Sequence, residues 1–308
     1  MARCLVTGGC GFIGSHIVDA LVERGDEVRV LDDLSTGHLV NLDSVKGRIT
    51  LIQGSILDAD TVHQAMQGVE LVFHQAAIAS VPRSVDEPLS THEVCVTGTI
   101  NVLDQARRLG VRRVVYAASS SAYGNSPWAA KRESDPTSPL SPYAAAKLAG
   151  EKYCQAFYHS YGLETVCLRY FNVFGPRQDP NGPYAAVIPA FILKMRSGGR
   201  PVIFGDGTQS RDFTFIGNVV AGNLAAATAT GAAGKVYNVA SGRSYSLLEL
   251  VAALNQILGL QIEPVFEAAR VGDVKDSLAD VTLAMNDLGY TSSIDFIEGL
   301  RRTVQFYR

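Results

Sequence analysis

Through the first half of the chain, short apolar runs alternate with longer stretches in which apolar residues return every three or four positions. The runs at 3–6, 27–31, 50–53, 71–74, 113–117 and 165–170 read as strands covered on both faces. Helical spacing fills 17–24, 58–66, 90–109 and 142–161 between them. Strand and helix in turn predict an α/β fold built on a parallel sheet with helices on both sides. After Asn172 the texture changes to a long turn-rich segment, with Gly175-Pro176-Arg177 and Asp179-Pro180-Asn181-Gly182-Pro183. Such loops carry ligand contacts while a rigid sheet positions them. A helix near 217–229 and a strand at 236–240 then return to the first layer. The expected domains are therefore 1–170 with 213–240, and a discontinuous second unit of 171–212 with 241–308.

The first strand runs straight into Thr7-Gly8-Gly9-Cys10-Gly11-Phe12-Ile13-Gly14. Glycines permit a tight turn and a close backbone approach, and the helix that follows aims free N–H groups and its positive dipole end at a pyrophosphate. The second strand ends at Asp32, about 20 residues beyond the glycines, where an acid holds the adenosine ribose hydroxyls and repels a 2′-phosphate. The pattern points to NAD rather than NADP; a glycine turn in an unrelated α/β protein is the competing use of these residues.

A second motif, Ser141-Pro142-Tyr143-Ala144-Ala145-Ala146-Lys147, reads as a helix start with Ser141 as N-cap and Pro142 in the first turn. Residues four apart share a helix face, so a phenol and an ammonium stand together. A free tyrosine titrates near about 10, and the adjacent cation is expected to lower that value, making Tyr143 a base for a substrate hydroxyl. An incidental surface pair is the alternative.

Composition narrows the class. The 308 residues, 47% of them hydrophobic, suffice for about two domains with a large core. A net charge of −3 offers no polybasic face for nucleic acid. No apolar stretch approaches the roughly 18 residues of a membrane span, and a glycine loop starting at Gly8 leaves no room for a secretory leader. Cys4, Cys10, Cys95, Cys154 and Cys167 are odd in number and form no CxxC pair, as expected of buried thiols in a reducing cytoplasm rather than metal ligands.

Together with Phe73-His74-Gln75-Ala76-Ala77, Ser119 before Tyr123-Gly124, Arg169-Tyr170-Phe171-Asn172-Val173-Phe174-Gly175-Pro176, Gly205-Asp206-Gly207, Arg211-Asp212-Phe213, and Arg270 with Gly272-Asp273, these motifs resemble one family in order and spacing. It is that of the extended short-chain dehydrogenases/reductases, and within them the UDP-sugar 4-epimerases. The resemblance implies a doubly wound parallel sheet of Rossmann type with a smaller α/β C-terminal substrate domain. It also implies tightly bound NAD and inversion at C4 of a UDP-hexose through a 4-keto intermediate.

Carried over by position, Tyr143 is the implied base, Lys147 binds the nicotinamide ribose, and Ser119 orients the sugar hydroxyl. Gly8, Gly11, Phe12 and Ile13 line the pyrophosphate, Asp32 the ribose, Ile56 the adenine, Ala76 and Ala77 the strand-end wall, and Tyr170 the nicotinamide region. Asn172, Arg211 and Arg270 hold the sugar nucleotide and Asp273 a UDP ribose hydroxyl; surface ion pairs with Asp212 and Asp273 are the alternative use of the two arginines. Related dehydratases and decarboxylases carry acids just before the Tyr-Gly step, where this chain has Ser120, Ser121 and Ala122. NAD-sensing regulators of the same frame commonly lose the Tyr-Lys pair.

The resemblance is closest to epimerases of UDP-N-acetylglucosamine and UDP-N-acetylgalactosamine. Ser120, Gln178, Ala186, Val187 and Ser277 fall on their pocket positions. Ser277 stands where a bulky tyrosine closes the pocket of epimerases confined to UDP-glucose and UDP-galactose, and so leaves room for an acetamide. The alternative is a UDP-uronic acid, whose carboxylate Arg83 could meet from a loop; Arg83 could equally contact diphosphate or solvent. Ser55, Cys95 and Ala79 depart from the family pattern at an adenine-facing acid, a cofactor-side asparagine and a pocket glycine. The helices at 90–109 and 142–161 are those by which relatives pair, which implies a homodimer; Tyr153, Phe157 and Tyr158 fit that role, and core packing against the sheet is the competing use of the same apolar positions.

Overall fold

The computed structural model describes residues 1–180, 186–268 and 275–307. Its centre is a seven-stranded sheet of β1 (Arg3–Thr7), β2 (Glu27–Asp32), β3 (Ile49–Gln53), β4 (Leu71–His74), β5 (Arg113–Ser119), β6 (Glu164–Tyr170) and β7 (Val236–Val239). All neighbours are parallel and the order is β7-β6-β5-β4-β1-β2-β3. The order reverses between β1 and β4, and in such sheets the ligand crevice opens beyond the strand ends at that switch.

Side chains on successive strand positions enter opposite cores. In β5, Val115 and Ala117 face one apolar cluster while Val114, Tyr116 and Ala118 face the other. The first cluster is closed by Ile17, Val18 and Leu21 of α1 (Phe12–Glu23), and the second by Val62, Ala65 and Met66 of α2 (Ala59–Met66) and Val102, Leu103 and Ala106 of α3 (Gly98–Arg108). Cys154 and Phe157 of α4 (Pro142–Tyr161) complete the second, and Val219, Ala226 and Ala227 of α5 (Ile216–Thr228) the first.

α1 starts at Phe12, five residues before the expected stretch, because Gly11 can serve as N-cap directly after the turn. The expected 90–109 helix is composite: Pro88–His92 is α-helical, Glu93–Thr97 forms a π turn, and α3 follows. Ser141 caps α4 by accepting the Ala144 N–H at 3.1 Å, and Gly162 ends it in the left-handed conformation at φ 71°.

The remaining part is made of short pieces. Val173–Phe174 pairs with Thr214–Phe215, and Ser210–Arg211 lies between Tyr245–Ser246 and Asp276–Ser277. Helices Val187–Arg196, Leu247–Leu258, Thr282–Leu288 and Phe296–Phe306 surround them. Phe296 stacks on Phe213 and Tyr245, with ring centres 5.6 and 4.1 Å away. Phe296, Leu300, Leu250 and Leu254 belong to the same apolar cluster as Val6 and Phe73, so this core is continuous with one face of the sheet. All five cysteines are buried and unbonded to one another. Among the described residues, no helix is long and apolar enough to cross a membrane.

Candidate functional site

Beyond the switch point lies a cavity of about 490 Å³. Its floor is the glycine turn. Gly8 has φ +69°, and a Cβ there would sit 2.7 Å from the Ala76 nitrogen, so the β1 and β4 ends can approach this closely only around a glycine. Gly11 caps α1 without any side-chain hydrogen bond, which leaves the first N–H groups of α1 directed outward beside Phe12 and Ile13. An N–H cradle at the positive end of a helix suits a phosphate anion.

The strand ends beneath the floor are tied by one hydrogen-bonded chain. Thr99 Oγ1 donates to the Cys95 carbonyl at 2.8 Å, so it accepts from His74 Nε2 at 3.0 Å. His74 Nδ1 must then accept from Thr7 Oγ1 at 2.7 Å. The order of donors fixes His74 as the neutral Nε2–H tautomer, and burial pushes its pKa down to about 3.

At one end of the cavity Asp32 accepts the N–H groups of Cys10 and Leu34, both at 2.8 Å. Burial raises its pKa while those two bonds oppose the rise. Asp33, Ser35, Thr36, Ile56 and Gly54 line the same end. At the other end are Tyr143, Lys147 and Tyr170, with Ala76 and Ala77 along the wall between. Tyr170 Oη lies 2.9 Å from Asn223 Oδ1 and 3.2 Å from Gln75 Oε1, which holds its ring in place. All the cofactor-binding positions expected from the sequence thus line one cavity.

The Tyr143–Lys147 relationship differs from expectation. Burial, and next the neighbouring Cys95, push the Tyr143 phenol up to about 12, while a hydrogen bond from Ser119 opposes them. Burial depresses Lys147 as well, and its Nζ lies 4.6 Å from the centre of the Tyr116 ring. The helix spacing places the two groups on one face, but desolvation outweighs the attraction that spacing alone suggests. Ser119 accepts the Ser121 N–H at 3.1 Å and lies 2.8 Å from Ser121 Oγ.

A second cavity, about 470 Å³, adjoins the chain two residues past Tyr170, at Asn172. Val187, Phe191, Val202, Phe204, Phe213 and Leu247 give it an apolar lining, and Lys194, Arg200 and Arg211 bring positive charge. Asn172 has φ +32°, unusual for a residue other than glycine, and its Nδ2 reaches the Asp212 carbonyl and Ser277 Oγ, both at 3.4 Å. Asp212 is fully buried. It accepts the N–H groups of Ser241, Gly242 and Ala279 and the Ser241 hydroxyl, so it stitches three segments together and is no surface partner for Arg211.

Several expected positions stand apart from both linings. Ser120 is half-buried on the short turn Ser120–Tyr123, and Ala186 is the N-cap of Val187–Arg196. Gln178 donates through Nε2 to the Val173 carbonyl at 3.1 Å. Arg270 and Asp273 lie outside the described residues. Arg83 belongs to a short helix, Val81–Asp86, rather than a loop, and it lines the first cavity. Phe204, Lys194, Arg200 and Leu247 were not singled out from sequence; the three-residue strand Val202–Phe204 is too short for a periodic signal.

The family described as "NAD dependent epimerase/dehydratase family" matches residues 4–240. UDP-glucose 4-epimerase of Mycolicibacterium smegmatis is 40% identical over 310 residues, covering 99% of this chain and 98% of that one. Among solved structures, a UDP-N-acetylglucosamine 4-epimerase from Methanobrevibacter ruminantium, in complex with UDP-N-acetylmuramic acid, superposes with a TM-score of 0.95 at 40% identity, covering 99% of this chain and 98% of that one. A UDP-glucuronic acid 4-epimerase mutant from Bacillus cereus, in complex with a fluorinated UDP-glucuronic acid and NAD, gives 0.92 at 30% identity, with 99% and 98% covered.

Proposed function

Because the chain belongs to the NAD dependent epimerase/dehydratase family, we propose that it inverts C4 of a UDP-sugar, using NAD that it binds tightly. The observation that carries this reading is the convergence of Tyr143, Lys147 and the glycine turn on one cavity, with Asn172 and Arg211 on the adjoining one. The uncapped start of α1 fits the pyrophosphate and Asp32 fits the ribose of a dinucleotide. Held by these residues in its oxidised form, NAD would supply a hydride acceptor and a positive charge.

Tyr143 takes the proton of the sugar C4 hydroxyl and later returns it, and Ser119 hydrogen-bonds that hydroxyl. Lys147 holds the nicotinamide ribose. In the second cavity the apolar lining takes the flat base, and Arg211, Lys194 and Arg200 offset the diphosphate. Gripped by its nucleotide, the 4-keto sugar can turn and present its other face, so the returning hydrogen inverts C4.

Within this class, UDP-N-acetylglucosamine and UDP-N-acetylgalactosamine are the preferred pair, and UDP-glucose and UDP-galactose are accepted. The small Ser277 beside Asn172 and the likeness to the M. ruminantium enzyme support the preference. A UDP-uronic acid is the second reading, supported by the likeness to the B. cereus enzyme. Residues 171–212 and 241–308 form the sugar-nucleotide half. A homodimer forms through the 90–109 and 142–161 helices; exposed Leu89 beside them, and Tyr153 and Tyr161 on α4, support that pairing.

The test is to incubate purified protein, without added cofactor, with UDP-N-acetylglucosamine, UDP-glucose and UDP-N-acetylglucosaminuronate, and follow the anomeric protons by NMR. UDP-N-acetylgalactosamine as the fastest product supports the reading; preference for the uronate moves it to the acid sugars; no 4-epimer even with NAD added refutes it.

A further inference from the structure

The lining of the first cavity is poor in positive charge. Lys147 is buried at the Tyr143 end, while Asp32 and Asp33 occupy the other. The one further cation among the described lining residues is Arg83. Its helix follows Ala77, Ile78 and Ala79, which continue from the end of β4 along the cavity wall.

Ser80 Oγ accepts the Arg83 N–H at 3.2 Å, so the Arg83 backbone is fixed. Its side chain is 39% exposed and rests on Glu87, with Nε donating to Oε2 at 3.1 Å. An exposed pair four residues apart on a helix holds only weakly. A phosphate in a cleft is a stronger partner for a forked guanidinium.

A dinucleotide carries its two negative charges between its nucleosides, and so between the Asp32 and Tyr143 ends of this cavity. The glycine turn and the start of α1 offer N–H groups and a partial positive charge there, but no full one. The second cavity has its own cations, Lys194, Arg200 and Arg211, and Arg83 is not part of its lining. That separation assigns Arg83 to the cofactor and away from the phosphates or carboxylate of a sugar nucleotide.

Building on the dinucleotide reading above, we propose that Arg83 leaves Glu87 to bind the pyrophosphate of the cofactor, with Glu87 as the partner it exchanges. Calorimetric titration of nucleotide-free protein with ADP-ribose and, separately, with adenosine isolates the phosphate contact. Arg83→Gln is expected to weaken ADP-ribose binding about tenfold, leave adenosine binding unchanged, and flatten the salt dependence of ADP-ribose affinity. Glu87→Gln is expected to bind ADP-ribose as tightly as the native protein or more so. Native-like ADP-ribose affinity in Arg83→Gln overturns the proposal. So does an Arg83→Gln protein changed only in its KM for sugar nucleotide, the outcome a substrate contact gives. Weakened ADP-ribose binding in Glu87→Gln removes the exchange. If the native protein binds neither ADP-ribose nor NAD, the dinucleotide reading itself fails.

Discussion

Glu151 and Arg169 form a forked ion pair, Oε2 to Nε and Oε1 to Nη2 both at 2.8 Å, with neither side chain more than 2% exposed. Glu151 lies one turn beyond Lys147 and two beyond Tyr143 on α4, and Arg169 immediately precedes Tyr170 on β6. The pair therefore joins the helix that carries Tyr143 and Lys147 to the strand that carries Tyr170, all three lining the first cavity. Close approach is aided at Gly150, where a Cβ would meet Tyr116 Oη at 2.2 Å. Arg169 also covers the Tyr123 ring at 4.6 Å, and Tyr123 donates to Asn238 at 2.7 Å.

Removing one partner leaves the other as an uncompensated buried charge. Glu151→Ala is expected to lower unfolding free energy by about 3–5 kcal/mol. Glu151→Leu combined with Arg169→Met is expected to recover a large part of that loss. Urea unfolding of the single and double variants checks both statements; a single variant as stable as the native protein contradicts them.

Tyr143→Phe keeps the ring and removes the proton carrier. Turnover is expected to fall about 10²- to 10⁴-fold with UDP and NAD affinity preserved. Steady-state rates alongside calorimetric binding test this, and undiminished turnover removes Tyr143 as the base.

The pH dependence of turnover follows from the Tyr143 phenol, which burial pushes up to about 12 and the Ser119 hydroxyl pulls back. A base that is protonated at neutral pH gives rates that rise with pH. Losing the Ser119 hydrogen bond raises the phenol further, so Ser119→Ala is expected to move the rising limb of kcat to higher pH. A limb that stays in place, with only its height reduced, rules out this role.

Stability should depend on pH through His74. Burial pushes its folded pKa down to about 3 from the 6.5 of a free imidazole, so between those values the unfolded chain binds the extra proton. The contribution is fully present above pH 6.5 and is lost as pH falls towards 3, at about 1.4 kcal/mol per unit. Urea midpoints between pH 7.5 and 5 measure the slope, and His74→Asn is expected to reduce it. An unchanged slope in that variant means that His74 takes up its proton as readily in the folded chain as in the unfolded one.

Ser277→Tyr tests substrate choice. A ring beside Asn172 is expected to reduce kcat/KM for UDP-N-acetylglucosamine about tenfold or more relative to UDP-glucose. Equal losses for the two sugars assign Ser277 to packing instead.

The central strands were legible because they are covered on both sides and read as apolar runs; 71–74 coincides with β4 to the residue and 165–170 with all but the first residue of β6. The glycine turn was legible because Gly14 answers to the backbone of Gly8 and Gly9 a few residues away, whereas the contact of Gly8 with Ala76 forms only when β1 and β4 pair. The second cavity was not, because Phe204, Phe191 and Leu247 come from separate elements that meet only in three dimensions. The Tyr143–Lys147 spacing identified the face they share but not its burial, and burial decides their protonation.

Tyr170 ends β6 and Asn172 follows at a bend with φ +32°, with fully buried Phe171 between them. The covalent step from the lining of the first cavity to that of the second is therefore two peptide units, from Tyr170 to Asn172. Loops around either cavity can be exchanged or loosened without lengthening that joint. A change elsewhere in the lining of the second cavity therefore leaves its covalent distance from the first as it is.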